Sequence, residues 1–283
     1  MGHAPSPELQ ELWLEAVRLP EISDPRESCI VELSEYTGEP RDIIEERCKR
    51  AVDDQRELWY QRDRSDESSL TDFYNECDAY LYELLWWHAL QQGEAPAWNA
   101  RLLDIAERFG CHDYLDFGGG IGTNAILLGR AGLNVTVADV SDVLQACAKW
   151  RLEKRGIDAT LLDLKADQPP PESYDLISAV DVLEHVADPL ATLTQLHRSL
   201  KLGGILVFDL IAGEADPDRP FHLLRSKFPI RSEIRGLGFR RVEHFQKYLV
   251  YQKVHMTGSL QRFTRLWDIA RWRAYYLLQG RWP

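Results

Sequence analysis

The stretch Tyr114–Gly132, YLDFGGGIGTNAILLGRAG, decides the fold. Apolar residues lead into an aspartate, four glycines follow within five positions, and a segment of helical character comes next. A strand that passes through a glycine-rich turn into a helix lets the backbone come close to a bound ligand. The turn therefore predicts a ligand site at the end of this strand.

Strand and helix patterns alternate on both sides of this stretch, from about residue 97 to residue 256. Strands are predicted at YLDFG, NVTVADV, ATLLDL, YDLISAV, GILVFDL, RRVEHF and YLVYQKV, and helices at TNAILLGRAG, VLQACAKWRLEKRG and PLATLTQLHRSLKLGG. Such alternation is typical of an α/β fold with a parallel, doubly wound sheet. With the two late strands, the sheet has seven strands.

The residues before this region have helical patterns instead. Helices are predicted at SPELQELWLEAVRL, DPRESCIVELSEYTG, EPRDIIEERCKRAVDDQRELWYQRD and SLTDFYNECDAYLYELLWWHALQQ, with prolines near two of the first turns. The predicted organisation has three parts: a helical cap over residues 1–96 that binds substrate, a ligand-binding core over 97–256, and an amphipathic helix over 257–283.

Charge and cysteine content restrict the partners and the compartment. The net charge is −12, and residues 1–110 hold 25 Asp and Glu against 11 Lys and Arg. An acidic surface repels phosphate backbones, so we expect no nucleic-acid partner. The five cysteines form no CxxC pair, which favours reduced thiols over zinc ligands or disulfides. No membrane-spanning run and no signal-peptide core is found, and we expect a cytoplasmic protein.

The last segment, SLQRFTRLWDIARWRAYYLLQGRWP, reverses the sign of the charge with five arginines and one aspartate. Its aromatic and aliphatic residues recur at helical spacing. Two interpretations stay open here. The segment is either a terminal helix packed on the protein body or a helix that lies on a membrane surface or docks a partner.

Three acids separate the two kinds of cofactor that such a glycine turn can hold. GIGTNA satisfies the GxGxxA form of the dinucleotide fingerprint. Asp116, however, stands two residues before the first glycine, where a carboxylate would repel a pyrophosphate. The same carboxylate is favourable next to the ammonium and sulfonium of S-adenosylmethionine. Asp139 ends the next strand, where it can accept the ribose hydroxyls, and Asp163 ends the third, where it can accept the adenine amine.

The segments YLDFGGGIGTNAILLGRAG, VTVADVS, LLDL, YDLISAVDVLEHVADP and LKLGGILVFDL resemble, in order, the motifs of class I S-adenosylmethionine-dependent methyltransferases that act on small molecules. The resemblance covers about residues 98–255 and implies a Rossmann-like methyltransferase sheet with S-adenosylmethionine as cofactor. It also implies a set of cofactor-binding residues, with Tyr74 and Tyr80 in a helix that closes over the ligand: Tyr74, Tyr80, Asp116, Gly118, Gly119, Gly120, Gly122, Asp139, Val140, Asp163, Leu164, Val180, Asp181 and His185.

Acid–base candidates follow from the chemistry of methyl transfer, which needs a general base when the acceptor is a hydroxyl, a thiol, an acidic carbon or a protonated amine. His222, in the proline-rich segment DPDRPFHLLRSKF, is the candidate base. The cluster of Asp181, Glu184 and His185 resembles the cation-binding turn of some quinone O-methyltransferases, but it more simply lines the cofactor pocket, and we assign no metal.

The predicted function is methylation of a small-molecule acceptor, such as a quinone-like, sugar-like or natural-product metabolite, in a chain that can form a homodimer. The acceptor and the methylated element stay open. Two rival interpretations are an NAD-dependent oxidoreductase and a non-catalytic subunit that binds S-adenosylmethionine beside another chain.

Overall fold

The computed structural model describes residues 4–61, 67–90, 96–214, 216–256 and 258–278. It divides into two compact units, Met1–Gln168 and Pro169–Pro283. The three-part organisation predicted above, with boundaries at 96 and 256, is a different partition and stays a prediction. Among the described residues, no helix combines the length and the apolar character needed to cross a membrane.

The first unit opens with a series of helices. These are α1 (Pro7–Val17), α2 (Pro25–Thr37), α3 (Arg41–Gln61), α4 (Glu67–Glu76), α5 (Ala79–Leu90), the 3₁₀ helix η1 (Pro96–Ala100) and α6 (Arg101–Phe109). Asp24 caps α2 by accepting a hydrogen bond from the Glu27 amide, with Pro25 in the first turn as expected.

The single helix predicted over residues 69–92 is wrong, because α4 and α5 are separated at Cys77 and Asp78. The Asp78 amide donates to the Glu76 carbonyl, which closes a tight turn, and the Leu81 amide donates to the Asp78 carbonyl as the new helix begins. Residues 91 and 92 of the predicted helix lie outside the described residues.

Three parallel strands complete the first unit. The elements are β1 (Asp113–Phe117), α7 (Thr123–Arg130), β2 (Asn134–Asp139), α8 (Asp142–Lys154) and β3 (Ala159–Asp163). β2 pairs with both β1 and β3, and Asp139 stands directly opposite Asp163. The strand interiors are apolar, which is typical of a sheet that is covered on both faces.

The second unit contains β4 (Tyr174–Ala179), α9 (Pro189–Ser199), β5 (Leu200–Asp209), α10 (Phe228–Glu233), β6 (Phe239–Phe245), β7 (Tyr248–Lys253) and α11 (Gly258–Leu278). The helix predicted over 189–204 is wrong beyond Ser199, because buried Leu200 already pairs with Tyr174 of β4 and starts β5. β7 runs antiparallel to β5. It is also antiparallel to β6, since the turn between β6 and β7 is too short for a crossover.

The strand order is β3-β2-β1-β4-β5-β7-β6 in one seven-stranded mixed sheet. All seven predicted strands are present, and the predicted α/β fold class is confirmed. η1, α6 and α10 lie outside the predicted elements.

Candidate functional site

The glycine loop between β1 and α7 is held in a conformation that only glycine adopts without strain. Gly118, Gly120 and Gly122 have φ angles of 67°, 52° and 73°. Gly119 has an ordinary φ, but a Cβ there would lie 2.8 Å from Val137 Cγ1 and 3.0 Å from Asp116 Oδ2. The loop therefore lies directly against buried side chains of β1 and β2.

Asp139 is buried at the end of β2, and both of its carboxylate oxygens face backbone amides. Oδ2 accepts a hydrogen bond from Gly120 N at 2.9 Å, and Oδ1 accepts one from Ser141 N at 2.9 Å. Burial raises the pKa of Asp139, and these backbone hydrogen bonds oppose that rise. Asp139 thus fixes the glycine loop in addition to the ligand-binding role predicted for it.

Asp116 is also buried, at the end of β1, beneath the same loop. Its Oδ1 accepts a hydrogen bond from Asn124 Nδ2 in the first turn of α7 at 3.3 Å. Two buried carboxylates, Asp116 and Asp139, therefore contact one loop. Their negative charge favours a ligand that brings positive charge.

Asp163, at the end of β3, is half-exposed and forms an ion pair with Lys165, a residue that was not among the predicted site residues. The Lys165 ammonium lies 3.0 Å from Asp163 Oδ1, 2.6 Å from Asp142 Oδ1 and 2.8 Å from the Val140 carbonyl. Hydrogen bonding from the Lys165 amide and the ammonium lowers the pKa of Asp163. Leu164 N donates to the Asp139 carbonyl, which brings the predicted Val140, Asp163 and Leu164 together at one edge.

Tyr74 and Tyr80 belong to an aromatic cluster in the cap helices. Their ring centroids are 5.7 Å apart, and Phe73 contacts both rings and packs edge-on against Trp59. Asn75, on the next position of α4, accepts a hydrogen bond from the Asp142 amide at the start of α8. This bond anchors α4 beside the edge formed by Val140 and Leu164, consistent with a cover over that edge.

A buried ion cluster reaches the glycine loop from the cap, and sequence reasoning missed it. Arg151 of α8 is fully buried, and its guanidinium donates to the Ile121 carbonyl at 2.7 Å, to Thr123 Oγ1 at 2.9 Å and to Glu32 Oε1 at 3.2 Å. Burial alone would raise the pKa of Glu32, but Arg151 and Arg155 lower it. The sequence gives little indication of this cluster, because it shows only one acid in a cap helix and two arginines one turn apart.

In the second unit, a lysine that was also not predicted sits among acids at the ends of β4 and β5. Lys247, from the turn between β6 and β7, lies 2.5 Å from Asp181 Oδ1 and 3.0 Å from Asp209 Oδ2. The Asp181 amide donates to Asp209 Oδ1 at 2.8 Å, and Asp181 has a φ of 55°, which is rare for a residue other than glycine. Predicted Val180 immediately precedes this strained residue.

Glu184 is buried beside this ion group, and neither oxygen of its carboxyl has a hydrogen-bond partner among the described residues. Burial, followed by the charges of Asp209 and Asp181, raises the pKa of Glu184 to about 9. Burial and Asp181 likewise raise the pKa of Asp209 to about 7. Glu184 is therefore a neutral acid at neutral pH.

The two histidines of the predicted site lie together. The rings of His185 and His222 meet edge to face, with centroids 4.9 Å apart, and His185 Nδ1 is 3.2 Å from the Phe221 carbonyl. Burial lowers the pKa of His185 to about 4. Burial, and then Arg219, also lowers the pKa of His222 below the usual 6.5.

Two overlapping groups of side chains have the spacing that a bound cation needs. Ligand atoms of Glu184, His185 and His222 lie within 4.8 Å of one another, and so do those of Asp181, Glu184 and Asp209. In the second group the Lys247 ammonium already supplies positive charge to two of the three acids. A divalent cation there would have to displace it.

Comparison with known proteins assigns the class. The family described as "Methyltransferase domain" matches residues 86–260, well over half of the chain. The chain therefore belongs to this family of methyltransferase domains, and the resemblance found in the sequence is confirmed.

Individual relatives agree with this assignment over shorter segments. The chain is 29% identical over 100 residues to a ubiquinone biosynthesis O-methyltransferase of Pseudomonas entomophila, covering 34% of this chain and 43% of that protein. It is 35% identical over 121 residues to the Xylella fastidiosa protein of the same name, covering 41% of this chain and 44% of that protein. The matched segments thus span less than half the length of these curated relatives.

A solved structure shares the fold. The magnesium protoporphyrin IX methyltransferase of Synechocystis PCC 6803, crystallised with bound S-adenosylmethionine, superposes with a TM-score of 0.53 at 18% identity. The alignment covers 68% of this chain and 98% of that one.

Proposed function

We propose that the chain is an S-adenosylmethionine-dependent methyltransferase that acts on a small-molecule acceptor. The observation that carries the proposal is the pair of buried carboxylates, Asp116 and Asp139, against the glycine loop. A ligand with an ammonium and a sulfonium gains from this negative lining, whereas a dinucleotide pyrophosphate is repelled by it. The family assignment supports the same choice.

In the proposed roles, the glycine loop and the acids at the strand ends hold the cofactor. Asp116 faces the amino-acid end, Asp139 binds the ribose and Asp163 with Leu164 borders the adenine. Val180, Asp181 and His185 contact the methionine part, and Tyr74 and Tyr80 close over the ligand. When bound, the cofactor supplies a methyl carbon activated by its sulfonium leaving group, so the protein has chiefly to hold the acceptor close and aligned.

The compartment and the acceptor are part of the proposal. All five cysteines are buried and none forms a disulfide, which supports a reducing compartment such as the cytoplasm. Relatives named for ubiquinone biosynthesis support a quinone-like acceptor, and the natural-product and sugar-like classes stay candidates.

The cofactor assignment is tested by calorimetric titration of the purified chain with S-adenosylmethionine, S-adenosylhomocysteine and NAD. We expect the first two to bind in the micromolar range and NAD to give no heat of binding. The reverse pattern would favour the oxidoreductase. A chain that binds S-adenosylmethionine but produces S-adenosylhomocysteine with no acceptor in a metabolite screen, and that co-purifies with another chain, would be the non-catalytic subunit.

His222 is proposed as the general base, because its lowered pKa keeps the imidazole neutral and able to accept a proton through the neutral range. With the acceptor that the screen identifies, we expect His222→Ala to lower kcat by about 10²- to 10⁴-fold, the usual range for a positioned base. The wild-type rate should fall on the acidic side, and because the pKa of His222 is lowered by burial, that fall should lie at lower pH than for an ordinary histidine.

The pH profile separates a base from a packing residue. His222→Ala should lose this acidic limb as well as rate, while His222→Gln, which keeps size and polarity, should not restore either. Wild-type turnover in His222→Ala at every pH would remove His222 from the mechanism.

A further inference from the structure

α11 packs with both polar and aromatic side chains inward, and Trp272 and Tyr276 contact α10. Thr264 and Asp268 are buried, and Asp268 forms an ion pair with Arg235 at 3.0 Å. Five large apolar side chains of this helix are instead exposed by more than half: Phe263, Leu266, Trp267, Leu277 and Leu278. This is the opposite of the usual arrangement for a helix at the edge of a globular protein.

The exposed apolar residues form one stripe. With about 100° of rotation per residue, the five side chains and those of Ala270 and Ala274 fall within an arc of roughly 120°. The buried residues Thr264 and Asp268 and the half-buried Trp272 lie on the other side. We refer to the seven outward residues as the apolar stripe: Phe263, Leu266, Trp267, Ala270, Ala274, Leu277 and Leu278.

Positive charge borders the stripe. Arg271 and Arg273 are exposed and stand on either side of it on the helix. Arg271 also lines a cavity of about 570 Å³ together with Arg231, Arg240 and Arg241. Residues 219–283 contain 14 Lys and Arg against 3 Asp and Glu, a net of +11, in a chain whose total is −12.

An apolar stripe with aromatic residues and arginine on both flanks matches a helix that lies in a membrane interface. The stripe enters the boundary of the acyl chains, and the arginines reach the phosphate headgroups. Each basic residue near an anionic membrane surface adds to the attraction. A second copy of this chain fits less well, because two such basic faces would repel each other.

We propose that the apolar stripe of α11 and its flanking arginines bind the surface of a bilayer that contains anionic lipids. The helix lies in the interface without crossing it, and its buried Asp268 anchors it to the second unit. If the proposed methyl transfer is correct, binding to the membrane surface gives the enzyme access to acceptors that reside in membranes.

The test is co-sedimentation of the full chain with vesicles of phosphatidylcholine alone and of phosphatidylcholine with about one third phosphatidylglycerol, at 150 mM NaCl. Neither cofactor nor acceptor is present, so the result does not depend on the proposed methyl transfer. We expect binding to the anionic vesicles, weak binding to the neutral ones, and loss of binding at high salt, where surface charge is screened.

Two double variants isolate the stripe and its flanks. Leu266→Glu with Trp267→Glu, and Arg271→Glu with Arg273→Glu, should each lower partitioning by roughly tenfold or more. Leu202→Glu is the matched control, because Leu202 is 65% exposed in β5 of the same unit and lies outside α11. All of these side chains are exposed, so circular dichroism and melting temperature should stay unchanged.

Three outcomes would overturn the proposal: no binding of the wild type to anionic vesicles, equal binding to both lipid compositions, or an equal loss in Leu202→Glu. Light scattering tests the alternative occupant. If the stripe variant converts a dimer to a monomer and leaves vesicle binding intact, the stripe is instead an interface between two copies of this chain.

Discussion

Replacing Asp139 with alanine is expected to weaken S-adenosylmethionine binding by about 100-fold, as measured by calorimetry. Hydrogen bonds that involve a charged group contribute about 1.5–3 kcal/mol each, and the proposed ribose contact uses such bonds. The substitution also removes the acceptor for the Gly120 and Ser141 amides, so the loop loses its fixed position. Both effects act in the same direction.

Two further variants separate ligand contact from general damage. Asp158→Ala removes a carboxylate of similar size from an exposed position on the same unit and should leave the affinity unchanged. Asp139→Asn keeps the volume but replaces one acceptor oxygen by an amide donor, and should lose nearly as much affinity as alanine. If Asp139→Ala binds S-adenosylmethionine as tightly as the wild type, the ribose assignment is wrong.

Replacing Arg151 with methionine is expected to cost about 1–3 kcal/mol of unfolding free energy, because buried acceptors lose a charged hydrogen-bond donor. Glu32 would retain only Arg155, 2.5 Å away. The Ile121 carbonyl and Thr123 would lose their hydrogen bonds at the same time, so S-adenosylmethionine affinity should fall by about tenfold. Denaturant unfolding and calorimetry measure the two effects separately.

Arg155→Met is the matched control. Arg155 shares Glu32 with Arg151, but its other hydrogen bonds go to the carbonyls of Val17, Arg18 and Arg151, and none that the structure shows reaches the glycine loop. Both variants should lower stability, and only Arg151→Met should weaken cofactor binding in the remaining folded protein. An equal loss of affinity in the two variants would show that Arg151 does not position the loop.

The strands and the acids at their ends could be predicted from the sequence because local information is sufficient there. Short apolar runs that end at glycine or aspartate mark the parallel strands β1 to β5, and all five are found. Asp116 and Asp139 are buried beside the loop for the same reason, since a residue that ends such a strand lies at the ligand edge of the sheet.

The partners of these acids could not be predicted, because they come from distant parts of the chain. Lys247 lies 66 positions from Asp181, and Glu32 lies 119 positions from Arg151. No pattern in the neighbourhood of either residue indicates these pairs. The break between α4 and α5 was missed for a different reason, since it is a tight backbone turn within a sequence that keeps a helical pattern.

The apolar stripe of α11 shows what the spacing of apolar residues can and cannot predict. The spacing of apolar residues predicts a helix, but it does not say which side faces the protein. The inward side is marked by buried Thr264 and Asp268, with Asp268 paired to Arg235, and a hydropathy pattern alone would expose these polar residues.

The packing around Gly119 has a consequence for evolution and for binding. A side chain at this position would overlap Val137 and Asp116 whether or not a cofactor is bound, so the protein itself demands the glycine. A search for the glycine pattern therefore detects a tightly packed turn and is silent about the ligand. Because the turn is already rigid, a cofactor that enters it has little conformational entropy to remove, and more of the contact energy becomes affinity.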